Sequence, residues 1–290
     1  MSAISSFIDD FEGDPMEAVA AIHTAFMAVT SSPETPTTYD EAMRSDKPDK
    51  WKKAIEAEAT QFEKKEVYTR VNQEKIKRKL SNEGKKPIEC KWVFKNKTKP
   101  NGEVFKKARC VAKGFTQIPG VDYTEKFAPV VNDVTMRTLT VFGLKRGYVF
   151  KVYDVDVAFL QGRLNEEIYI RLPDGFEHAG EIVRLNRSLY GLMQAARAWY
   201  MRKANLMTKF GFKRSRIDPC VYWRQLEDGE YLFVLVYVDD CIAIGPEHHA
   251  EKFIEDFNKE IDIKILGTLR DYNGAEYEWS NNNEDLHIYQ

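Results

Sequence analysis

The chain switches repeatedly between two hydrophobic periods. Residues 148–157 have period two: Val149, Lys151, Tyr153 and Val155 alternate with Phe150, Val152 and Asp154. That alternation predicts a β-strand with an acid near its end. The run Tyr231-Leu232-Phe233-Val234-Leu235-Val236 is continuously apolar and finishes in Tyr237-Val238-Asp239-Asp240. It reads as a strand paired with Val221–Gln225 about Asp228-Gly229, and Asp239-Asp240 reads as a second tight turn before Cys241–Ile244. Ile168–Leu172 is a shorter strand closed by Pro173-Asp174-Gly175, and Ile88–Phe94 with Val104–Phe115 reads as a basic hairpin about Pro100-Asn101-Gly102.

Helical spacing appears at Pro48–Glu66, with Trp51, Ile55 and Phe62 as apolar anchors, and at Thr135–Arg146, which ends near Gly147. It recurs at Gln194–Phe210, with Trp199, Leu206 and Phe210 on one stripe, and at Glu247–Asn258. Thr38 with Glu41 three residues on is a helix-start signal. A helix is expected over Met16–Val29, and Ser31–Pro36 reads as a linker. There is no internal repeat. Strands and helices mix without regular alternation, which points to an α+β fold with an antiparallel sheet.

Length and composition allow about two domain-sized units with a sizeable core: 290 residues, 43% hydrophobic, with 17 Phe and 14 Tyr. The net charge of −2 announces no nucleic-acid binder, but its distribution does. Residues 85–114 hold ten Lys/Arg against Glu89 and Glu103, and residues 182–216 hold nine Lys/Arg and no acid. Residues 225–290 hold four Lys/Arg against sixteen acids. Two basic stretches suit phosphate tracking, although each alone also reads as a solvated surface. Cys90, Cys110, Cys220 and Cys241 have neither zinc nor disulfide spacing, which fits a reducing compartment. No stretch has the length of a membrane span, and the acids before Met16 argue against a signal peptide.

Asp154, Asp239 and Asp240 carry the candidate chemistry. Three carboxylates at one spot repel one another unless cations neutralise them. Magnesium takes hard oxygen ligands from one or two carboxylates plus substrate phosphates, and two such ions stabilise the attacking and leaving oxygens of nucleotidyl transfer. The Val155 carbonyl is a further candidate ligand. An Asp-Asp pair alone is usually a turn, but this one sits between two strongly apolar strands.

These residues resemble the reverse transcriptase of copia-type (Pseudoviridae) LTR retrotransposons, encoded in a Gag-Pol polyprotein. Tyr237-Val238-Asp239-Asp240 resembles its motif C, and Asp154-Val155 with Ala158-Phe159-Leu160 its motif A. Ser188-Leu189-Tyr190-Gly191-Leu192-Met193-Gln194-Ala195-Ala196-Arg197-Ala198-Trp199-Tyr200 resembles motif B. Cys90–Lys95, Lys107–Gln117 and Asp122–Val131 match further boxes, and the likeness runs from about Tyr39 to about Ile288.

The resemblance implies polymerase fingers and palm over residues 37–290, with the palm core at about 148–265 and a primer-grip region at about 266–290. Residues 1–36 would be a spacer. Asp154, Asp239 and Asp240 would be catalytic and, with Val155, would hold two Mg2+ ions, Mn2+ being the substitute. Phe159 would exclude a 2′-hydroxyl. Gly191 and Gln194 would lie under the templating base and incoming nucleotide. Arg109 and Lys113 would face the triphosphate, and Lys95, Lys97 and Arg197 the nucleic acid.

Partners implied are an RNA or DNA template-primer, deoxynucleoside triphosphates, and the integrase and RNase H of the polyprotein, without a membrane. The implied location is the cytoplasmic virus-like particle and the nucleus. Departures are Ala196 for the family's proline, Met193 for a basic residue, and Tyr272-Asn273-Gly274-Ala275-Glu276-Tyr277 in the primer grip, where Asn273 and Ala275 are expected to weaken the hairpin. With the chain ending at Gln290, an absent or truncated thumb is expected. The favoured function is RNA-directed DNA synthesis. The alternative is an inactive or co-opted retrotransposon fragment that binds nucleic acid without polymerising. An RNA-copying RNA polymerase shares the acids but is disfavoured by Phe159.

Overall fold

The structure, a computed structural model, describes residues 35–98, 102–272, 275–280 and 286–289. The helix expected over Met16–Val29, most of the linker before Pro36, the turn residues Pro100 and Asn101, and Asn273-Gly274 lie outside the described residues. Helices and largely antiparallel sheets make up the fold. No helix among the described residues is long and apolar enough to cross a membrane.

Two compact units are distinguished. The first joins the residues up to Glu58 with Trp92–Arg109, and the second joins Ala59–Lys91 with everything from Cys110 onward. In the first unit, helix α1 (Tyr39–Arg44) starts where the Thr38 side chain accepts from Glu41 N–H at 3.2 Å, the expected cap. Helix α2 (Pro48–Lys64) begins in this unit and buries Trp51 and Ile55. Trp51 meets Phe94 edge-on at 5.1 Å, and Lys106 Nζ lies 4.7 Å from the Trp51 ring centroid. The distal parts of β2 (Ile88–Thr98) and β3 (Val104–Ala112) complete the unit.

The second unit is built on a six-stranded antiparallel sheet. Its strands are β4 (Val149–Val155), β7 (Lys213–Arg214), β8 (Val221–Gln225), β9 (Tyr231–Tyr237), β10 (Asp240–Gly245) and β11 (Ile263–Thr268). Their spatial order is β11-β4-β10-β9-β8-β7. The alternation read from sequence separates two cores. Tyr153, Val155, Val234, Val236, Cys241 and Ala243 face a cluster with Trp199, Leu206, Phe253 and Phe257. Those four belong to α6 (Ala195–Lys209) and α7 (Glu247–Glu260). Phe150, Val152, Leu235, Ile242 and Ile244 face a second cluster that includes Met136 of α4 (Asp133–Lys145).

A second sheet has the order β1-β6-β5-β2-β3, with β1 (Tyr68–Arg70), β5 (Tyr169–Arg171) and β6 (Ile182–Leu185) in this unit. Its one described parallel pair is β2 with β5, at Ile88↔Ile170 and Glu89↔Arg171. Helix α3 (Gln73–Asn82) packs Ile76 and Leu80 on Ile182.

Beyond β11, strands β12 (Asp271–Tyr272), β13 (Ala275–Trp279) and β14 (Leu286–Tyr289) form a small antiparallel sheet. Sequence reasoning expects Asn273 and Ala275 to weaken this region; Asn273 lies outside the described residues, and Ala275 is buried with Tyr272 and Tyr277 in the second core. Trp279 Nε1 donates to Leu269 O at 2.7 Å and Tyr277 N–H to Arg270 O at 2.6 Å.

Candidate active site

The two acidic elements meet. Strands β4 and β10 are hydrogen-bonded neighbours with Asp154 and Asp240 as direct cross-strand partners. Residues opposite one another in a ladder share a face, so both carboxylates continue the row that Phe150, Val152, Ile242 and Ile244 bury further along. Val155 N–H donates to Asp239 O at 3.0 Å, which brings the third acid to the same end of the sheet. Like charges directly opposite one another are destabilising. Burial first, then Asp239 and Asp154, push Asp240 up to about 6. The same row continues on both sides: Tyr237 lies opposite Asp240, and Lys264 of β11 lies opposite Asp154.

The donor set is three carboxylates with crowded negative charge, which suits a hard divalent cation. Among the described residues no three His, Cys, Asp or Glu side chains are gathered tightly enough to form a metal cage by themselves. Val155 is 2% exposed and its N–H is taken by the Asp239 carbonyl.

Asp240 is the first residue of β10 rather than the second residue of the turn, because it pairs with Tyr237. The turn is therefore Val238-Asp239. Val238 has φ 53°, as a primed two-residue hairpin requires at its first central position. Glycine is the usual solution there, and a β-branched residue is strained. Trp199, 1% exposed on α6, holds this turn: its Nε1 donates to Val238 O at 2.6 Å. A second left-handed valine, Val157 (φ 47°), lies three residues after Asp154 and starts helix α5 (Ala158–Gln161). The only other non-glycine residue with positive φ among the described residues is Glu66. Lys203, one helical turn beyond Trp199, is 3% exposed with Nζ 5.6 Å from the indole. Burial pulls its pKa down, while Cys241, Cys220 and Asp239 oppose that shift.

Phe159 sits half-buried in α5 and meets Tyr190 edge-on at 5.0 Å. Gly191 has φ 88°, and a Cβ there would collide with Ala112 O. Ala112 N–H donates to Tyr190 O at 2.8 Å, so the end of β3 and the loop before α6 touch backbone to backbone. Gln194 is 3% exposed and internally engaged: its Oε1 accepts from Gln117 Nε2 at 3.0 Å and its Nε2 donates to Asp122 O at 3.0 Å. Gln117 Oε1 accepts from Met193 N–H at 2.8 Å.

Lys113 follows β3, half-buried, with its N–H on Glu89 O at 2.8 Å. Arg197 is ion-paired with Glu125. Arg109 on β3, half-buried, and Lys95 and Lys97 on β2, both exposed, belong to the first unit, and the three acids belong to the second. Sequence reasoning gave no role to Trp199, Gln117 or Lys264. The first two stood inside quoted motifs, and only the register of β11 reveals the third.

A family model described as reverse transcriptase (RNA-dependent DNA polymerase) matches residues 75–290. The chain is 34% identical over 258 residues to the retrovirus-related Pol polyprotein from transposon TNT 1-94 of Nicotiana tabacum, covering 87% of this chain and 19% of that protein. It is 36% identical over 162 residues to the polyprotein from transposon RE1 of Arabidopsis thaliana, covering 54% and 11%. It is 29% identical over 275 residues to the truncated transposon Ty1-A Gag-Pol polyprotein of Saccharomyces cerevisiae, covering 91% and 22%. The chain thus spans about a fifth or less of the length of these relatives.

Proposed function

The chain belongs to the reverse transcriptase (RNA-dependent DNA polymerase) family, in its copia-type branch, and from that premise we propose that it catalyses template-directed addition of deoxynucleotides to a primer 3′-hydroxyl by two-metal nucleotidyl transfer. The pairing of Asp154 with Asp240, with Asp239 in the adjoining turn, carries this reading.

Asp154, Asp239 and Asp240 hold the metals, with the Val155 carbonyl as a further ligand. When bound, a pair of Mg2+ ions, or Mn2+ in their place, supplies charge stabilisation to the attacking and leaving oxygens. Phe159 closes the space a ribose 2′-hydroxyl needs. Gly191 and Gln194 shape the bed under the nucleotide, Gln194 through the fixed amide network with Gln117. Arg109 and Lys113 offset charge on the departing pyrophosphate. Lys95, Lys97 and Arg197 contact nucleic acid, Arg197 after release from Glu125.

In this reading residues 37–290 are fingers and palm, the six-stranded sheet is the palm, the β2–β3 hairpin belongs to the fingers, and residues from about 266 hold the primer end. The substrates are an RNA or DNA template-primer and deoxynucleoside triphosphates. The partners are the other polyprotein domains, integrase and RNase H, in a cytoplasmic particle and the nucleus.

The test is primer extension on a primed RNA template with deoxynucleotides and magnesium, beside Asp239→Asn. Extension by the parent alone supports the polymerase. Binding without extension by either chain favours a nucleic-acid-binding remnant. Equal extension by both removes the metal role of Asp239.

A further inference from the structure

The basic stretch at residues 182–216 holds nine Lys/Arg and no acid, and the site described above uses only Arg197 of its arginines. Part of the remaining charge collects at one place. The backbone at 162–164 runs antiparallel to that at 186–188. Ser188 N–H donates to Gly162 O at 2.7 Å, Leu164 N–H to Asn186 O at 3.4 Å, and Arg163 and Arg187 are bridge partners. Gly162 lies directly on α6: a Cβ there would stand 2.8 Å from both the Ala198 carbonyl carbon and the Trp199 nitrogen. Arg202 is four residues beyond Ala198, on the same helix face. Arg163, Arg187 and Arg202 therefore converge on one patch of the second unit.

Among the described residues no ion pair neutralises that patch. Arg70, Arg171 and Arg197 each have an ion-pair partner, whereas Arg163, Arg187 and Arg202 have none among the described residues. Arg187 is half-buried; burial first, then Arg163 and Arg202, weaken its hold on its proton, and Glu66 is the one acid that opposes them. Three guanidiniums with so little compensation repel one another in the free chain. The same fork-shaped donors are well matched to phosphate oxygens, which they bind bidentately.

We propose that Arg163, Arg187 and Arg202 form a phosphate-binding subsite for the sugar–phosphate backbone of the template-primer, an inference that rests on the polymerase reading. The contact of Gly162 with Ala198 and Trp199 places the subsite on the helix turn that latches the catalytic hairpin.

Arg187 is half-buried and its loss risks the fold, so the test uses Arg163→Gln/Arg202→Gln in the full chain. Affinity for a labelled RNA–DNA primer-template is measured by fluorescence anisotropy between about 50 and 200 mM salt. The slope of log affinity against log salt should become shallower by about 1.8, at ~0.9 per lost phosphate contact. Extension rate at saturating primer-template should not change, and the thermal midpoint should hold or rise as repulsion is relieved. An unchanged slope, or a lowered midpoint with an unchanged slope, overturns the subsite and makes the arginines structural. If the parent binds and extends while the variant's slope is unchanged, the subsite alone is lost. If the parent neither binds nor extends any primer-template, both readings fall.

Discussion

Replacing Trp199 by an analogue that lacks only its ring N–H should loosen the Val238-Asp239 turn and slow polymerisation without unfolding the protein. The indole N–H donates to Val238 O at 2.6 Å, and Trp199 is 1% exposed. A typical hydrogen bond contributes about 1 kcal/mol net, and a buried acceptor left unsatisfied costs about 1–3 kcal/mol. The turn it closes already holds a valine at φ 53°, a conformation that stores on the order of 1–3 kcal/mol. Without the indole donor that strain has one restraint fewer, and relaxation of Val238 displaces the adjoining Asp239. A misplacement worth ~1.4 kcal/mol in the transition state slows the reaction about tenfold. Benzothienylalanine at position 199 keeps the ring shape, so it isolates the hydrogen bond; Trp199→Phe adds a cavity and should lose a further ~1–2 kcal/mol of stability. Single-turnover nucleotide addition should then fall about ten- to a hundredfold for the benzothienyl protein, with nucleotide affinity little changed. A full rate with a normal melting curve would show that the indole N–H does not position the turn.

Other consequences follow from the same geometry. Asp240→Asn should abolish extension yet stabilise the metal-free fold. Asp240 is raised from 3.8 to about 6 by burial, Asp239 and Asp154, so the folded state binds the proton more tightly than the unfolded chain and stability declines as pH rises through that window. The full shift is worth ~3 kcal/mol, and because the side chain is only half-buried about 1–2 kcal/mol is expected in urea unfolding at neutral pH with chelator. A destabilised variant would contradict the crowding argument. Gly191→Ala should cost at least ~2 kcal/mol, since it meets both a positive φ and the Ala112 carbonyl; a melting midpoint equal to the parent's would show the contact to be slack. Phe159→Ala should admit ribonucleotides, read as a lower dNTP/rNTP discrimination ratio, and an unmoved ratio would remove the gate role.

Much of this site was legible in the sequence because its strands are strongly patterned. Phe150, Val152 and Asp154 share a face in the alternation, and the apolar run before Asp239, short and bounded by Asp228-Gly229 and Asp239-Asp240, reads as a buried strand. What could not be read was register. That Asp240 pairs with both Tyr237 and Asp154, and that Lys264 lies beyond Asp154, depends on four strands, of which β4, β10 and β11 come together across long separations. Val238 misleads local reasoning, since a β-branched residue favours extended backbone and tertiary contacts force it left-handed.

Short elements were also missed. Ile182–Leu185 has four residues and sits in a stretch whose charge drew the reading, and Gln73–Asn82 buries only Ile76 and Leu80 on an otherwise polar helix. Gln194 and Arg197 show the limit of motif reasoning. Their side chains are already engaged by Gln117, Asp122 and Glu125, and no pattern of residue types announces such partners.

The central claim is that two strands deliver their acids to one metal site. Electron paramagnetic resonance of Mn2+ titrated into the parent, Asp154→Asn and Asp240→Asn, each with primer-template and a non-reactive deoxynucleotide analogue, tests it most directly. The pairing of Asp154 with Asp240 predicts that either substitution alone removes the same bound-ion signal. Loss with one variant and full retention with the other would mean that the two acids do not serve a common site.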